Sequence, residues 1–427
     1  MEQRQKAILV GVNLNNQPDF TSSMEELLNL ADACDIEVVA QVTQNLKHFN
    51  RSHYIGKGKL KEVQALIAEK EGDLVIFNDE LSPSQIRNLE AGLDCRVIDR
   101  TILILDIFAQ RAKTKEAQLQ VEVAQLQYML PRLIGFGETL SRQTGGVGTK
   151  TRGAGEKKLE LDRRRIEERI SALRKELESI VSRRQNQRKQ RKKKEIPVVS
   201  LVGYTNSGKS TIMNAMVELF NPASNKQVLE KDMLFATLET SVRNIQLPDN
   251  KSFLLTDTVG FVSKLPHHLI KAFRSTLEEA AEADLLIQVV DYSDLNYRQH
   301  EKVTDQTLKE MGIEGIPMIY AYNKVDLTDV AVPKINDQVV YLSAKQKKGV
   351  SELTEIVKEQ IFKDYVNCQL FIPYDQGQII SYFSENAHVL DTIYEETGTR
   401  LVVECRGIDL KKHQNYVLDT KNGHDPN

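Results

Sequence analysis

The stretch Pro197–Thr211, PVVSLVGYTNSGKST, constrains this chain more than any other. An apolar run with a β-strand look (Val198, Val199, Leu201, Val202) enters Gly203-x-x-x-x-Gly208-Lys209-Ser210, and a helix is expected from Thr211. Strand, glycine-bounded loop and helix in that order make a phosphate-binding loop. The loop Gly203, Tyr204, Thr205, Asn206, Ser207, Gly208 can curl its backbone N–H groups around an anion, and the helix N-terminus adds its positive end. Lys209 is placed to reach the β- and γ-phosphates and the Ser210 hydroxyl to hold Mg²⁺, with Thr211 in the same nucleotide-binding stretch.

Three further pieces follow in order, each at a strand end. Phe253–Thr256 leads into Asp257-Thr258-Val259-Gly260, where the carboxylate can hold the water shell of Mg²⁺ and the Gly260 N–H can meet the γ-phosphate. Met318–Tyr322 delivers Asn323-Lys324-Val325-Asp326. The Asp326 carboxylate can accept from the guanine N1–H and N2 amine, an edge that adenine lacks. Lys324 can lie along the base plane and Asn323 can brace the loop. Val339–Leu342 leads into Ser343-Ala344-Lys345, which can cover the base from its other edge. Together these imply a guanine-nucleotide site with Lys209 and Gly260 as catalytic groups. A second Mg²⁺ ligand is needed between the first two motifs, and spacing alone leaves Thr237 and Thr240 in competition. Asn206 offers a side-chain carbonyl that could hold K⁺ beside the phosphates. Phe261 follows Gly260, and an apolar side chain cannot orient an attacking water, so intrinsic hydrolysis should be slow.

At 427 residues the chain exceeds one ordinary core. With 41% apolar and 27% charged residues it reads as a soluble protein, and no stretch approaches a membrane span. Cys34, Cys95, Cys368 and Cys405 are scattered without a C-x-x-C pair, which indicates neither a disulfide framework nor a zinc site. A cytoplasmic location follows. Residues 1–112 alternate strand-like and helix-like segments: strands over 7–12, 37–42, 73–77 and 95–98, a short extended piece at 53–55, and helices over 24–33, 61–69 and 84–91. Ser82 with Pro83 reads as a helix start. Gly56-Lys57-Gly58-Lys59 is either a phosphate-binding turn or a tight turn with solvated lysines.

From Thr101 the pattern becomes a long helix. Leu119, Val123, Leu126 and Leu130 are spaced 4-3-4, and Ile166, Ile170, Leu173, Leu177 and Ile180 are spaced 4-3-4-3. Two such seams predict an antiparallel hairpin over 113–195 with a Gly-rich tip loop over 131–158. Ordinary helices packed on a neighbour are the alternative. In the loop, Arg132, Arg142, Lys150, Arg152, Lys157 and Lys158 outnumber Glu138 and Glu156, which suits insertion between phosphates. Phe136, between Gly135 and Gly137, could stack on an unpaired base. A basic run, Arg183–Lys194, ends the second helix as a solvated face or a nucleic-acid patch. The nucleotide core spans 196–365. The tail, 366–427, reads as a strand at 370–372, a helix over 378–394 and strands at 400–405 and 415–418.

The chain resembles the HflX family of translational GTPases over essentially its whole length. The resemblance rests on RVIDRTILILDIFAQRAKTKEAQLQVEVAQLQYMLPRL (96–133), GEKKLELDRRRIEERI (155–170), GYTNSGKST, LFATLET and DTVGFV. It implies an α/β multidomain fold: an N-terminal α/β domain, a helical hairpin arm, a P-loop GTPase domain and a small C-terminal α/β domain. It also implies GTP and GDP as ligands, Thr237 as the switch ligand to Mg²⁺, and a monomer that binds the large ribosomal subunit and its rRNA and splits or rescues stalled ribosomes. Arg152-Gly153-Ala154-Gly155-Glu156-Lys157 departs from the family's usual R-G-P-G-E-T at the tip. The competing expectation is a GTP-regulated switch that recruits a protein partner and leaves its basic segments unused.

Overall fold

The computed structural model describes residues 4–17, 19–143, 154–193, 196–221, 235, 241–266, 269 and 279–421. Thr237 and Thr240, Lys150 and Arg152 lie outside them. β1 (Lys6–Leu14), α1 (Phe20–Ala33), β2 (Glu37–Leu46), α2 (Lys57–Lys70), β3 (Leu74–Phe77), α3 (Pro83–Leu93) and β4 (Arg96–Asp99) alternate. The strands pair in parallel in the order β2-β1-β3-β4. All four residues of β3 are buried, as expected where helices cover both faces of a parallel sheet. Ser82 and Gln85 form a reciprocal capping box with Pro83 in the first turn of α3. The extended piece at 53–55 adds no sheet strand. Tyr54 has φ +64° and bridges only Asn50. Lys59 pairs with Glu62 at 2.8 Å on the surface of α2.

The helix expected from Thr101 is two. α4 (Arg100–Arg111) stops at Ala112, which is extended, and α5 (Lys115–Gln143) restarts after Thr114, whose Oγ1 accepts from the Ala117 N–H at 3.3 Å. A threonine hydroxyl competing for backbone donors makes the break. α6 (Ala154–Lys193) returns alongside α5. Leu119, Val123, Leu126 and Leu130 interlock with Ile166, Ile170, Leu173, Leu177 and Ile180 in one cluster. Lys115 pairs with Glu176 and Arg169 with Glu122, so the helices run antiparallel. Helix takes over both ends of the segment expected to be loop: α5 continues through Pro131 to Gln143, and α6 begins at Ala154. Phe136, Arg142 and Lys157 therefore lie within helical spans. Residues that cost a helix about 1 kcal/mol each are carried where long flanking helices pack. Arg132 is no tip cation. It lies over the Tyr128 ring, 3.1 Å from its centroid, and donates to the Leu81 carbonyl at 3.2 Å.

The central sheet holds β5 (Val198–Gly203), β6 (Ser241–Gln246), β7 (Ser252–Asp257), β8 (Leu285–Asp291), β9 (Met318–Asn323), β10 (Lys334–Asn336) and β11 (Val339–Tyr341) in the order β10-β11-β9-β8-β5-β7-β6. α7 (Lys209–Phe220), α8 (Tyr297–Glu310) and α9 (Val350–Ile361) belong to it. β5 lies between β7 and β8, so the loop that leaves it opens over the middle of the sheet.

The C-terminal sheet holds β12 (Tyr365–Pro373), β13 (His388–Tyr394), β14 (Gly398–Arg406) and β15 (Val417–Lys421), with α10 (Gly377–Asn386) and α11 (Gly407–Lys412). Its antiparallel order β13-β14-β12-β15 is a split β-α-β-β-α-β arrangement. The helix expected over 378–394 ends at Asn386, and 388–394 is a strand. Val389, Thr392 and Ile393 are β-branched, and their ladder to β14 overrides the helical pattern. Among the described residues, no helix is long and apolar enough to cross a membrane.

Candidate nucleotide site

β5 carries Val199, Leu201 and Val202 into the core and delivers Gly203 at its C-terminal end, in the middle of the sheet. A Cβ on Gly203, at φ +145°, would sit 2.3 Å from the Val289 carbonyl oxygen. One on Gly208, at φ +95°, would sit 2.2 Å from Asn323 Nδ2. Both ends of the loop therefore need glycine. α7 starts at Lys209, aiming its N-terminal N–H groups at the loop. Lys209 Nζ is buried and donates to the carbonyls of Gly203 (3.1 Å) and Tyr204 (2.8 Å). Burial pulls its pKa from 10.5 down to about 8, with the Asp257 carboxylate opposing.

Thr205 Oγ1 and Ser207 Oγ are buried in the loop without a partner among the described residues, a polar lining of the kind an anion satisfies. Ser210 Oγ donates to Asp257 Oδ2 at 2.6 Å. A hydroxyl and a carboxylate from two elements meeting there form a hard-oxygen set that fits Mg²⁺. Gly260 packs against the loop: a Cβ there would lie 2.7 Å from Thr205 Cα and 3.0 Å from Lys209 Nζ. The next residue pins this approach, since the Thr205 N–H donates to the Phe261 carbonyl (2.8 Å) and the Phe261 N–H to that of Gly203 (3.1 Å). The Phe261 ring is buried with Val202, Tyr204 and Leu286 and presents no hydrogen-bonding group.

At the other end, Asn323 joins the two loops. Its Nδ2 donates to the Ser207 carbonyl at 2.9 Å, and its Oδ1 accepts from the Ala344 N–H at 3.0 Å. Lys324, at φ +64°, pairs with Asp291 at 2.7 Å. Asp326 Oδ1 accepts from Ser343 Oγ at 2.5 Å, and Lys345 is exposed beside them. The structure thus brings Gly203–Ser210, Asp257 and Gly260 together at one end and Asp326, Ser343 and Ala344 at the other.

Sequence reasoning missed a buried network under this site. The Tyr204 hydroxyl donates to Glu26 and accepts from the Ser263 N–H at 2.7 Å, while its ring stacks on His300 with centroids 3.9 Å apart. Glu26 is also bonded by Arg100, whose guanidinium reaches Asn78 (3.0 Å), the Ser23 carbonyl (3.3 Å) and Ser263 Oγ (3.1 Å). Lys264 pairs with Asp79 at 2.6 Å. Phe235 meets Phe108 edge-on, and Val259, Val262 and Leu269 sit in the same cluster as Leu27, Ile104 and Phe108. The N-terminal sheet's helices thus hold residues from both sides of Gly260. A signal was present: Asp99, Arg100 and Thr101 interrupt an apolar stretch, Val97 to Leu105.

Residues 21–109 match the family model described as GTP-binding GTPase N-terminal, and 111–191 that of the GTP-binding GTPase middle region. Residues 198–324 match the one described as 50S ribosome-binding GTPase. The GTPase HflX of Caldanaerobacter subterraneus is 43% identical over 415 residues, which are 97% of this chain and 94% of that protein. The GTPase HflX of Alkalihalophilus pseudofirmus is 42% identical, covering 94% and 93%, and that of Escherichia coli is 36% identical, covering 92% of each.

Proposed function

Because the chain belongs to the HflX family of GTPases, we propose that it couples GTP hydrolysis to work on the large ribosomal subunit, dissociating or rescuing stalled ribosomes. GTP binding and hydrolysis come with the family. The ribosome is our reading, and the arm carries it. α6 has 40 residues, so it is about 60 Å long, and the sequence at the far end of the hairpin is glycine-rich and cationic. The description of the matched nucleotide-binding family, a 50S ribosome-binding GTPase, supports the same partner. In this reading the chain is a cytoplasmic monomer that works as four parts: 1–112, the arm 113–195, the GTPase 196–365 and 366–427.

In the nucleotide site, Lys209 would turn its ammonium from the Gly203 and Tyr204 carbonyls to the β- and γ-phosphates. Mg²⁺ would be held by Ser210 and Thr237 directly and by Asp257 through water, and would supply charge neutralisation at the phosphates. The Gly260 N–H would donate to the γ-phosphate, next to the loop it already touches. Lys324 and Asp326 would hold guanine under Ser343, Ala344 and Lys345, with Asn323 keeping base and phosphate loops in register. Phe261 leaves the attacking water without an orienting side chain, so the basal rate is slow and docking on the subunit raises it. Asn206 is exposed at φ +59°, and its carbonyl would hold K⁺ near the phosphates. Hydrolysis is then faster in potassium than in sodium chloride at equal ionic strength. Equal rates remove the ion from the mechanism.

Sedimentation with purified large subunits in a GTP analogue tests the main reading. Replacing Arg142, Lys150, Arg152 and Lys157 with alanine should leave GTP binding and basal hydrolysis unchanged. It should weaken subunit binding and flatten its salt dependence by up to roughly three units of log–log slope, at about 0.7 counterion per cation. Phe136, read as a base-stacking residue, belongs to the same contact. A variant that binds and splits ribosomes like wild type would make the arm a spacer and favour the partner-recruiting switch.

A further inference from the structure

Among the described residues, helices cover one face of the C-terminal sheet. Cys368, Leu370, Ile372, Leu401, Val403 and Cys405 are buried against Ile379 and Phe383 of α10 and Leu410 of α11. The strand register defines the other face. Ile393 lies opposite Arg400, and Arg400 opposite Phe371; Asp391, Val402, Gln369 and Asp419 form the next row. The row after that is closed by the central sheet, because Lys251 from the β6–β7 turn, 4% exposed, pairs with Glu404 at 2.7 Å. The first two rows stay open: Phe371 and Val402 are half-buried, and Ile393 is 45% exposed. Ile393, Phe371 and Val402 thus leave apolar surface uncovered side by side on this face, the kind of surface that marks a contact.

Charge selects the partner. Asp391 and Asp419 stand exposed at the two ends of the second row, and Glu396 is exposed in the β13–β14 turn beyond the first. The central cation, Arg400, is tied to Glu395 at 2.7 Å, so it is not available to a phosphate. Split β-α-β-β-α-β sheets that read RNA stack bases on exposed aromatics amid cations, and here an acidic rim repels the backbone such a ligand brings. An acidic rim around an apolar centre instead complements a polypeptide that alternates apolar and cationic side chains.

We propose that this open face docks a cationic amphipathic segment of a protein of the large ribosomal subunit. Apolar side chains of that segment rest on Phe371, Val402 and Ile393, and its Lys and Arg side chains meet Asp391, Asp419 and Glu396. The proposal rests on the ribosome reading above, and one experiment separates their failures. The full-length chain with the photo-cross-linker p-benzoylphenylalanine in place of Ile393 is incubated with purified large subunits and a GTP analogue, sedimented and irradiated. The expected cross-link is to a protein: protease removes it and nuclease does not. Asp391→Lys with Asp419→Lys should abolish the cross-link and weaken subunit binding about tenfold, while GTP hydrolysis without subunits stays at the wild-type rate. Co-sedimentation with a cross-link to rRNA, with no cross-link, or with one indifferent to the charge reversals would overturn the docking proposal and leave the ribosome reading standing. Absence of co-sedimentation would remove both.

Discussion

Asp326→Asn is expected to lower GTP affinity roughly a hundredfold to ten-thousandfold, the loss of two charge-assisted hydrogen bonds at about 1.5–3 kcal/mol each. The surroundings of the side chain suit the proposed role. Asp326 is the middle residue of the 3₁₀ turn Val325–Leu327, and Ser343 Oγ donates to one carboxylate oxygen at 2.5 Å, which fixes the side chain's direction. The amide should gain affinity for xanthosine triphosphate, whose C2 carbonyl accepts where guanine donates. Titration with fluorescent GTP and xanthosine triphosphate analogues reads both effects. A variant that binds GTP like wild type would end the assignment of base recognition to Asp326.

Arg100→Ala is expected to destabilise the protein by about 3–5 kcal/mol, because it leaves Glu26 buried without its ionic partner. The Arg100 side chain is 2% exposed and that of Glu26 11%, so water cannot step in to solvate the carboxylate. The loss should appear as a lower urea midpoint for the transition that melts the N-terminal sheet. Glu26→Gln in the same chain removes the stranded charge and should restore a large part of it. Because Ser263 and Tyr204 share this network, the same pair of variants should alter hydrogen exchange at the Ser263 amide. An unfolding free energy unchanged to within about 0.5 kcal/mol, the range of ordinary surface substitutions, would show that the contact contributes nothing.

The nucleotide motifs were legible because their chemistry is local. Gly203, Gly208 and Lys209 act through spacing along one turn, and the structure gives the glycines close contacts and positive φ. The seams of the arm were legible for the same reason, since a 3-4 spacing needs no knowledge of the partner. What sequence could not give were the balances struck between distant segments. The strand over His388–Tyr394 exists because β14 is there to pair with it, and an isolated reading of its residues favours a helix. The helical ends of the tip segment depend on how far the hairpin's flanks extend. Arg100 meets Ser263, and Glu26 meets Tyr204, only in the fold, across 163 and 178 residues of chain.

The cluster that joins Leu27, Ile104 and Phe108 to Phe235, Val259, Val262 and Leu269 has an implication for how the chain is made. Phe235, Val259, Val262 and Leu269 follow the whole arm in sequence, so the N-terminal sheet leaves the translating ribosome with part of its apolar face unmatched. At about 5–20 residues per second, Leu269 follows Phe108 by roughly 8–30 s. α5 residues such as Ala117 and Val121 can already pack on the cluster in that interval, but the side that Phe235, Val259 and Leu269 cover stays open. Synthesis speed across the arm thus sets how long an adhesive surface stays open, and slow codons there would lengthen the nascent chain's exposure to misassociation. The growing chain closes this surface only when residues around Gly260 arrive.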